Sequence, residues 1–110
     1  MKTPRLIQLT ELLKESPNEP FILFAIAKEY ENMPDHKQAL QFYLQLQSVD
    51  PNYVGLYYHL GKLYEILEQP AKAFETYTTG MNVARKQGDQ HALSELAGAR
   101  LVLGDEEDFE

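Results

Sequence analysis

Sliding the sequence along itself by thirty-four residues brings like residues onto like. Lys28, Tyr30 and Glu31 fall on Lys62, Tyr64 and Glu65, while Ala39, Tyr43 and Val49 fall on Ala73, Tyr77 and Val83. Pro17-Asn18 falls on Pro51-Asn52, and Leu6 and Leu12 on Leu40 and Leu46. A repeat of this length is one supersecondary unit that cannot bury its apolar face alone, so such a chain must stack its units to make a core.

The spacing within each unit says what the unit is. Leu23, Ile26, Ala27 and Tyr30 recur at three- and four-residue intervals, as one face of a helix does, and Tyr57, Leu60, Gly61 and Tyr64 repeat the pattern. Ala27 and Gly61 are small at the same place, as a close helix crossing requires. A second stripe follows in each unit: Ala39, Tyr43 and Leu46, then Ala73, Tyr77 and Gly80. Pro34-Asp35 and Gln69-Pro70 separate the stripes, and proline either stops a helix or starts one in its first turn. Asp50-Pro51 and Ser16-Pro17-Asn18-Glu19 carry the residues of a cap before a helix, with Ser16 and Glu19 at capping-box spacing.

The pattern predicts helices over about 4–15, 20–32, 36–48, 54–66, 70–86 and 90–103, joined by short links that make neighbours antiparallel. No segment alternates as a strand would. Gly88-Asp89 breaks the chain before the last helix, which shows one apolar face in Leu93, Leu96, Ala97 and Leu101. With 44% hydrophobic residues in 110, the core can be real but modest. Seven Tyr and five Phe supply its aromatic part, and each Tyr must place a hydroxyl at its edge.

A thirty-four-residue helix–turn–helix unit with these residues resembles the tetratricopeptide repeat. That repeat carries a large residue, a leucine, a glycine or alanine and a tyrosine on its first helix, then an alanine, an aromatic residue, a second alanine and a closing proline. Here they correspond to Leu23, Ile26, Ala27, Tyr30, Ala39, Tyr43, Leu46 and Pro51, and again to Tyr57, Leu60, Gly61, Tyr64, Ala73, Tyr77, Gly80 and Arg85. Leu46 and Gly80 depart from the usual alanine. Arg85 departs from the proline, which predicts a longer last helix in the second repeat.

The resemblance implies an all-α fold, a right-handed α-α superhelix of antiparallel helix pairs with about six helices. It divides a single domain, 1–104, into a half repeat (4–17), a first repeat (20–53), a second repeat (54–87) and a capping helix (88–103), followed by an acidic tail (105–110). It further implies a protein-interaction module that takes a peptide or helix of another protein, with no enzymatic activity and no cofactor.

In the family the first helix of each repeat lines the binding groove. The positions concerned are Phe21, Phe24, Lys28, Glu31 and Asn32 in the first repeat, and Gly55, Tyr58, Lys62, Glu65 and Ile66 in the second, with His59 beside them. Rings gripping apolar side chains beside lysines that meet carboxylates would hold an extended or helical peptide. Lys28 with Glu31 and Lys62 with Glu65 also have the spacing of ordinary pairs along one helix, and Phe24 and Tyr58 also suit rings covered by a neighbouring helix. The clamp with which some members hold the carboxylate of chaperone tails is missing. Phe24, Lys28, His59, Asp89 and Leu93 stand where it needs lysine, asparagine, asparagine, lysine and arginine.

Charge and composition exclude other classes. The net charge is −7, and Asp105, Glu106, Glu107, Asp108 and Glu110 account for five of it, so the rest of the chain stands near −2. Such a like-charge block reads as a solvated, disordered tail, or as an acidic peptide for a basic partner. No Lys/Arg stripe follows a helix, so nucleic acid is not an expected partner, and the RNA-reading helical repeats are disfavoured with it. No apolar run spans a membrane and no signal peptide opens the chain, so the expected place is the cytoplasm. Without cysteine there is neither a disulfide framework nor a thiolate metal site, and His59 with His91 would still lack further ligands. No nucleophile–base pair or phosphate loop occurs. In the half repeat, Leu6, Ile7, Leu9, Leu12 and Leu13 cover more than one face, which makes this N-terminal helix a candidate homodimer surface.

Overall fold

The computed structural model describes residues 2–109, and all its regular structure is helical: α1 (Pro4–Glu15), α2 (Pro20–Asn32), α3 (His36–Val49), α4 (Gly55–Ile66), α5 (Pro70–Gln87) and α6 (Gln90–Leu103), then a 3-10 turn, Glu106–Phe109. The starts are set by residue type. Pro4, Pro20 and Pro70 open helices where a missing N–H costs nothing. The side chains of Thr3, Asp35 and Asp89 accept from the N–H groups of Leu6 (3.0 Å), Gln38 (3.2 Å) and Ala92 (3.0 Å), satisfying donors the helices leave open.

Two expected caps do not form. Ser16 closes α1 instead of capping α2, and Glu19 caps α2 without a side-chain bond. Asp50 likewise closes α3; its carboxylate accepts from the Asn52 N–H at 3.2 Å, and α4 follows Val54, which offers no side-chain cap. In both places proline follows directly, and the chain spends several residues in a turn before the next helix begins.

At the ends, Gly88 stands in the left-handed region (φ 69°), which lets the Asp89 N–H reach back to the Ala84 carbonyl at 2.9 Å. Glu68 adopts the same conformation (φ 59°) without being glycine, and Gln69 reaches the Tyr64 carbonyl at 2.9 Å. The eighteen residues of α5 exceed the fourteen of α3, where Arg85 stands in place of a closing proline.

The helices form two compact units, 1–53 and 54–110. In the first, Leu6 and Leu9 of α1 pack on Ile26 of α2, with Leu13, Ile22, Ala25, Tyr30, Met33 and Phe42 around them. Tyr30 stacks on Phe42 at 5.7 Å, joining α2 to α3. Of the apolar residues of α1, Ile7 and Leu12 stay about half exposed (51% and 49%). In the second unit, Tyr57, Leu60, Tyr77 and Leu96 are fully buried. The small residues decide the crossings here: a Cβ on Gly61 would overlap the Tyr77 ring, and one on Gly80 would overlap Tyr57.

The tail overturns the expectation of a disordered end over its described part. Glu106–Phe109 folds as a 3-10 turn, and the Phe109 ring stacks on Phe74 of α5 at 4.7 Å. The half-buried Phe109 ring gives this acidic segment an apolar contact on the helices. Glu110 lies outside the described residues.

Candidate functional site

The α2 face begins with the helix register. Phe21, Phe24, Lys28 and Asn32 follow one another at three- and four-residue steps, on the side away from the buried Leu23, Ile26 and Ala27. Phe24 is half-buried, its ring leaning against Tyr53 (5.3 Å, 46°) and Tyr43 (6.2 Å, 57°). The Lys28 ammonium lies 5.9 Å from the Phe24 ring centroid, within reach of a cation–π interaction.

An open cleft of about 310 Å³ is lined by Phe21, Phe24, Ala25, Lys28, Glu29 and Asn32 of α2 and by Arg5 of α1. Arg5 pairs through Nε with Glu29 at 3.0 Å, and Glu29 also accepts from the Thr3 hydroxyl at 3.3 Å. These bonds fix the guanidinium at the rim. Phe21 is 63% exposed. The cleft therefore shows an exposed ring, a half-covered ring and two cations, one of them already paired.

The corresponding face of α4 has the same local chemistry. The Lys62 ammonium lies 5.5 Å from the Tyr58 ring centroid and 3.8 Å from Glu65. His59 meets the Tyr58 ring edge-on at 5.7 Å. Tyr58, His59 and Lys62 are each half-buried.

Glu31 and Glu65 are engaged with tyrosines of the following helix. The Tyr43 hydroxyl donates to Glu31 and the Tyr77 hydroxyl to Glu65, each across twelve residues of chain. Both tyrosines are fully buried up to that hydroxyl. Burial, and then the hydrogen bond and the charge of the carboxylate, push both hydroxyls well above the usual tyrosine range. These carboxylates fasten α2 to α3 and α4 to α5, a role the same-helix pairing rule does not reveal. The Tyr53 hydroxyl is also raised, by burial and by the charges of Asp50 and Glu19.

Among the predicted site residues, then, Phe21, Phe24 and Lys28 share one cleft. His59 and Lys62 meet the Tyr58 ring in the other unit, Glu65 lies beside Lys62 and bonds Tyr77, and Glu31 turns to Tyr43. Arg5, Glu29 and Tyr53 join the site unannounced. Arg5 lies in the half repeat, which has no complete copy to register against; Tyr53 sits in a turn outside both helical stripes. Among the described residues no group of three His, Asp or Glu side chains is placed to hold a metal ion, and no helix is long and apolar enough to cross a membrane.

Comparison with known proteins places this architecture. A tetratricopeptide repeat family model matches residues 22–53 and 54–87. The solution structure of a tetratricopeptide repeat domain protein from Salinibacter ruber is similar at 45% identity and a TM-score of 0.76, over 79% of this chain and 88% of that one. A crystal structure of the Salinibacter ruber domain protein gives 45% and 0.74, over 77% and 96%. The solution structure of a protein from Bordetella parapertussis shares the fold at 23% identity, with a TM-score of 0.79 over 94% of this chain and 89% of that one. No curated protein is similar enough to count as a match. With two consecutive repeats matched and six helices among the described residues, the chain belongs to the tetratricopeptide repeat family.

Proposed function

We propose that the chain is a protein-interaction module that takes an acidic, partly apolar peptide or helix of another protein on the face of α2, and on the corresponding face of α4. The observation that carries this reading is the pairing of a lysine ammonium with an aromatic ring at the same place in both repeats, Lys28 over Phe24 and Lys62 over Tyr58. A ring with its cation offers a ligand an apolar surface and a carboxylate partner within one side chain's reach. In the first unit Arg5 adds a second cation, and the exposed Phe21 a second ring. Glu31 and Glu65 contribute by holding the helices that carry these groups, not by meeting the ligand.

The test is an affinity capture with the wild-type chain and the double variant Lys28→Glu, Lys62→Glu. Partners held by this face fall away from the variant. If the variant captures the same proteins in the same amounts, the assignment is wrong.

A second reading, self-association through α1, has its own observation. Ile7 and Leu12 line an open cleft of about 530 Å³ with Gln8, Glu11, Lys14 and Glu15. A strict monomer in sedimentation at high concentration would rule it out.

A further inference from the structure

The ordered tail marks a second site, on α5 and α6. Phe74 is half-buried and carries aromatic or cationic groups on its ring: Phe109 stacks on it at 4.7 Å and 24° between planes, and the Arg100 guanidinium carbon lies 5.0 Å from its centroid. Arg100 is held in place by a 3.0 Å bond from Nη1 to the Thr78 hydroxyl. Around them is an open cleft of about 670 Å³, with Phe74, Ala97, Arg100 and Leu101 on one side and Gly104 to Glu107 of the tail on the other.

The tail is shaped to enter this cleft. Gly104 has φ 156°, and a Cβ there would meet the side-chain ends of Asp108 and Phe109, each at 2.9 Å, so glycine lets the chain fold back here without strain. The Asp105 N–H donates to the Asp108 carboxylate at 2.9 Å and the Glu107 N–H to the Asp105 carboxylate at 3.1 Å. These local bonds present Phe109 to Phe74 while leaving Asp105, Glu106, Glu107 and Asp108 exposed in water.

Among the described residues, the side-chain contact that ties the tail to the helices is the Phe109 ring on Phe74. A four-residue turn crowded with like charges adds little of its own, so this segment belongs to the least stable part of the chain. The side formed by Phe74 and Arg100 belongs to two long helices and stays in place when the tail leaves.

We propose that Phe74 and Arg100 form a binding site for an aromatic side chain carried in an acidic segment of a partner protein, and that residues 105–109 are its resident intramolecular competitor. The ligand chemistry is that of the occupant: a ring to stack on Phe74 next to the guanidinium, flanked by carboxylates. A partner segment of this kind binds by displacing Phe109. Because the tail is attached directly after α6, it competes at a high effective concentration, and a tail closed about nine-tenths of the time weakens an outside ligand about tenfold.

The probe is a fluorescent peptide with the sequence of residues 104–109, Gly-Asp-Glu-Glu-Asp-Phe, titrated by anisotropy against the whole chain. Phe109→Ala lies outside both helical cores and leaves the fold intact, which circular dichroism checks. The expected result is that the Phe109→Ala chain binds the peptide about tenfold more tightly than wild type. Binding falls again when Arg100→Gln is added, and the same peptide with alanine for its phenylalanine does not bind. Equal affinities for wild type and Phe109→Ala overturn the proposal. So does an alanine peptide that binds as well as the phenylalanine one, or the absence of binding to Phe109→Ala at millimolar peptide. None of these outcomes bears on the α2 and α4 faces, whose residues the experiment leaves unchanged.

Discussion

Replacing Gly61 by alanine sets two effects of known sign against each other. Within a helix, alanine is favoured over glycine by about 1 kcal/mol, because it loses less backbone freedom on folding. Against this, the new Cβ would lie nearer than van der Waals contact to three carbons of the Tyr77 ring. That ring is fully buried and tied at its hydroxyl to Glu65, so it has no free direction in which to move. Overpacking of this kind costs about 1–3 kcal/mol, and a ring pinned at its far end puts Gly61→Ala toward the upper part of that range. The net expectation is a loss of about 1–2 kcal/mol. Gly98 of α6 is the control: it is exposed, a Cβ there meets nothing within 4 Å, and Gly98→Ala should stabilise by up to about 1 kcal/mol. For a chain of this size 1 kcal/mol corresponds to about 4 °C in Tm, so thermal and urea unfolding followed by circular dichroism resolve both. A Gly61→Ala variant as stable as wild type would refute the close crossing of α4 and α5.

Three more outcomes follow from the same contacts. The Tyr43 and Tyr77 hydroxyls are raised above the unfolded value, so folding keeps their protons; their stabilisation is complete below about pH 10 and is lost as pH rises above it. Each should cost about 1.4 kcal/mol in all between pH 9 and 11, which urea titrations across that range measure; an unchanged pH dependence in the Tyr43→Phe, Tyr77→Phe double variant contradicts the assignment. At neutral pH each of these single substitutions should cost about 1 kcal/mol, the worth of one hydrogen bond, and a loss no larger than that of an exposed tyrosine would deny the Glu31 and Glu65 links. Glu68→Gly relieves a left-handed residue and should raise stability by up to about 1 kcal/mol in the same assay, whereas a clear loss would mean that φ 59° is not strained.

Helices α2 to α5 were legible because the repeat wrote them as two copies, and α1 and α6 through the spacing of their own apolar residues. Proline at the helix starts and small residues at Ala27 and Gly61 gave both boundaries and crossings, and the structure places all six helices within about two residues of the expected spans. The errors lie where a local rule met a contact from elsewhere in the chain. The family's groove positions make Glu31 a binding residue and its spacing also suits a pair with Lys28, while its partner in the structure is the Tyr43 hydroxyl on the next helix. The five carboxylates of the tail predict a solvated, disordered end, whereas the phenylalanine among them stacks on Phe74. Ser16 and Asp50 have capping chemistry, but a turn intervenes before the next helix, so each closes the helix behind it. Phe21, Phe24 and Lys28 were visible through the family's groove positions. Arg5 was not, because only folding brings α1 beside α2.

The claim that the α2 and α4 faces hold the ligand is tested most directly by mapping. A peptide selected on the wild-type chain from a random library would be titrated into isotope-labelled protein and followed by amide NMR. The expected result is that selected peptides combine carboxylates with apolar residues, that shifts concentrate at Phe21, Phe24, Lys28, Tyr58 and Lys62, and that Lys28→Glu weakens binding. Shifts gathered instead around Ile7 and Leu12, with the affinity of Lys28→Glu unchanged, would contradict it.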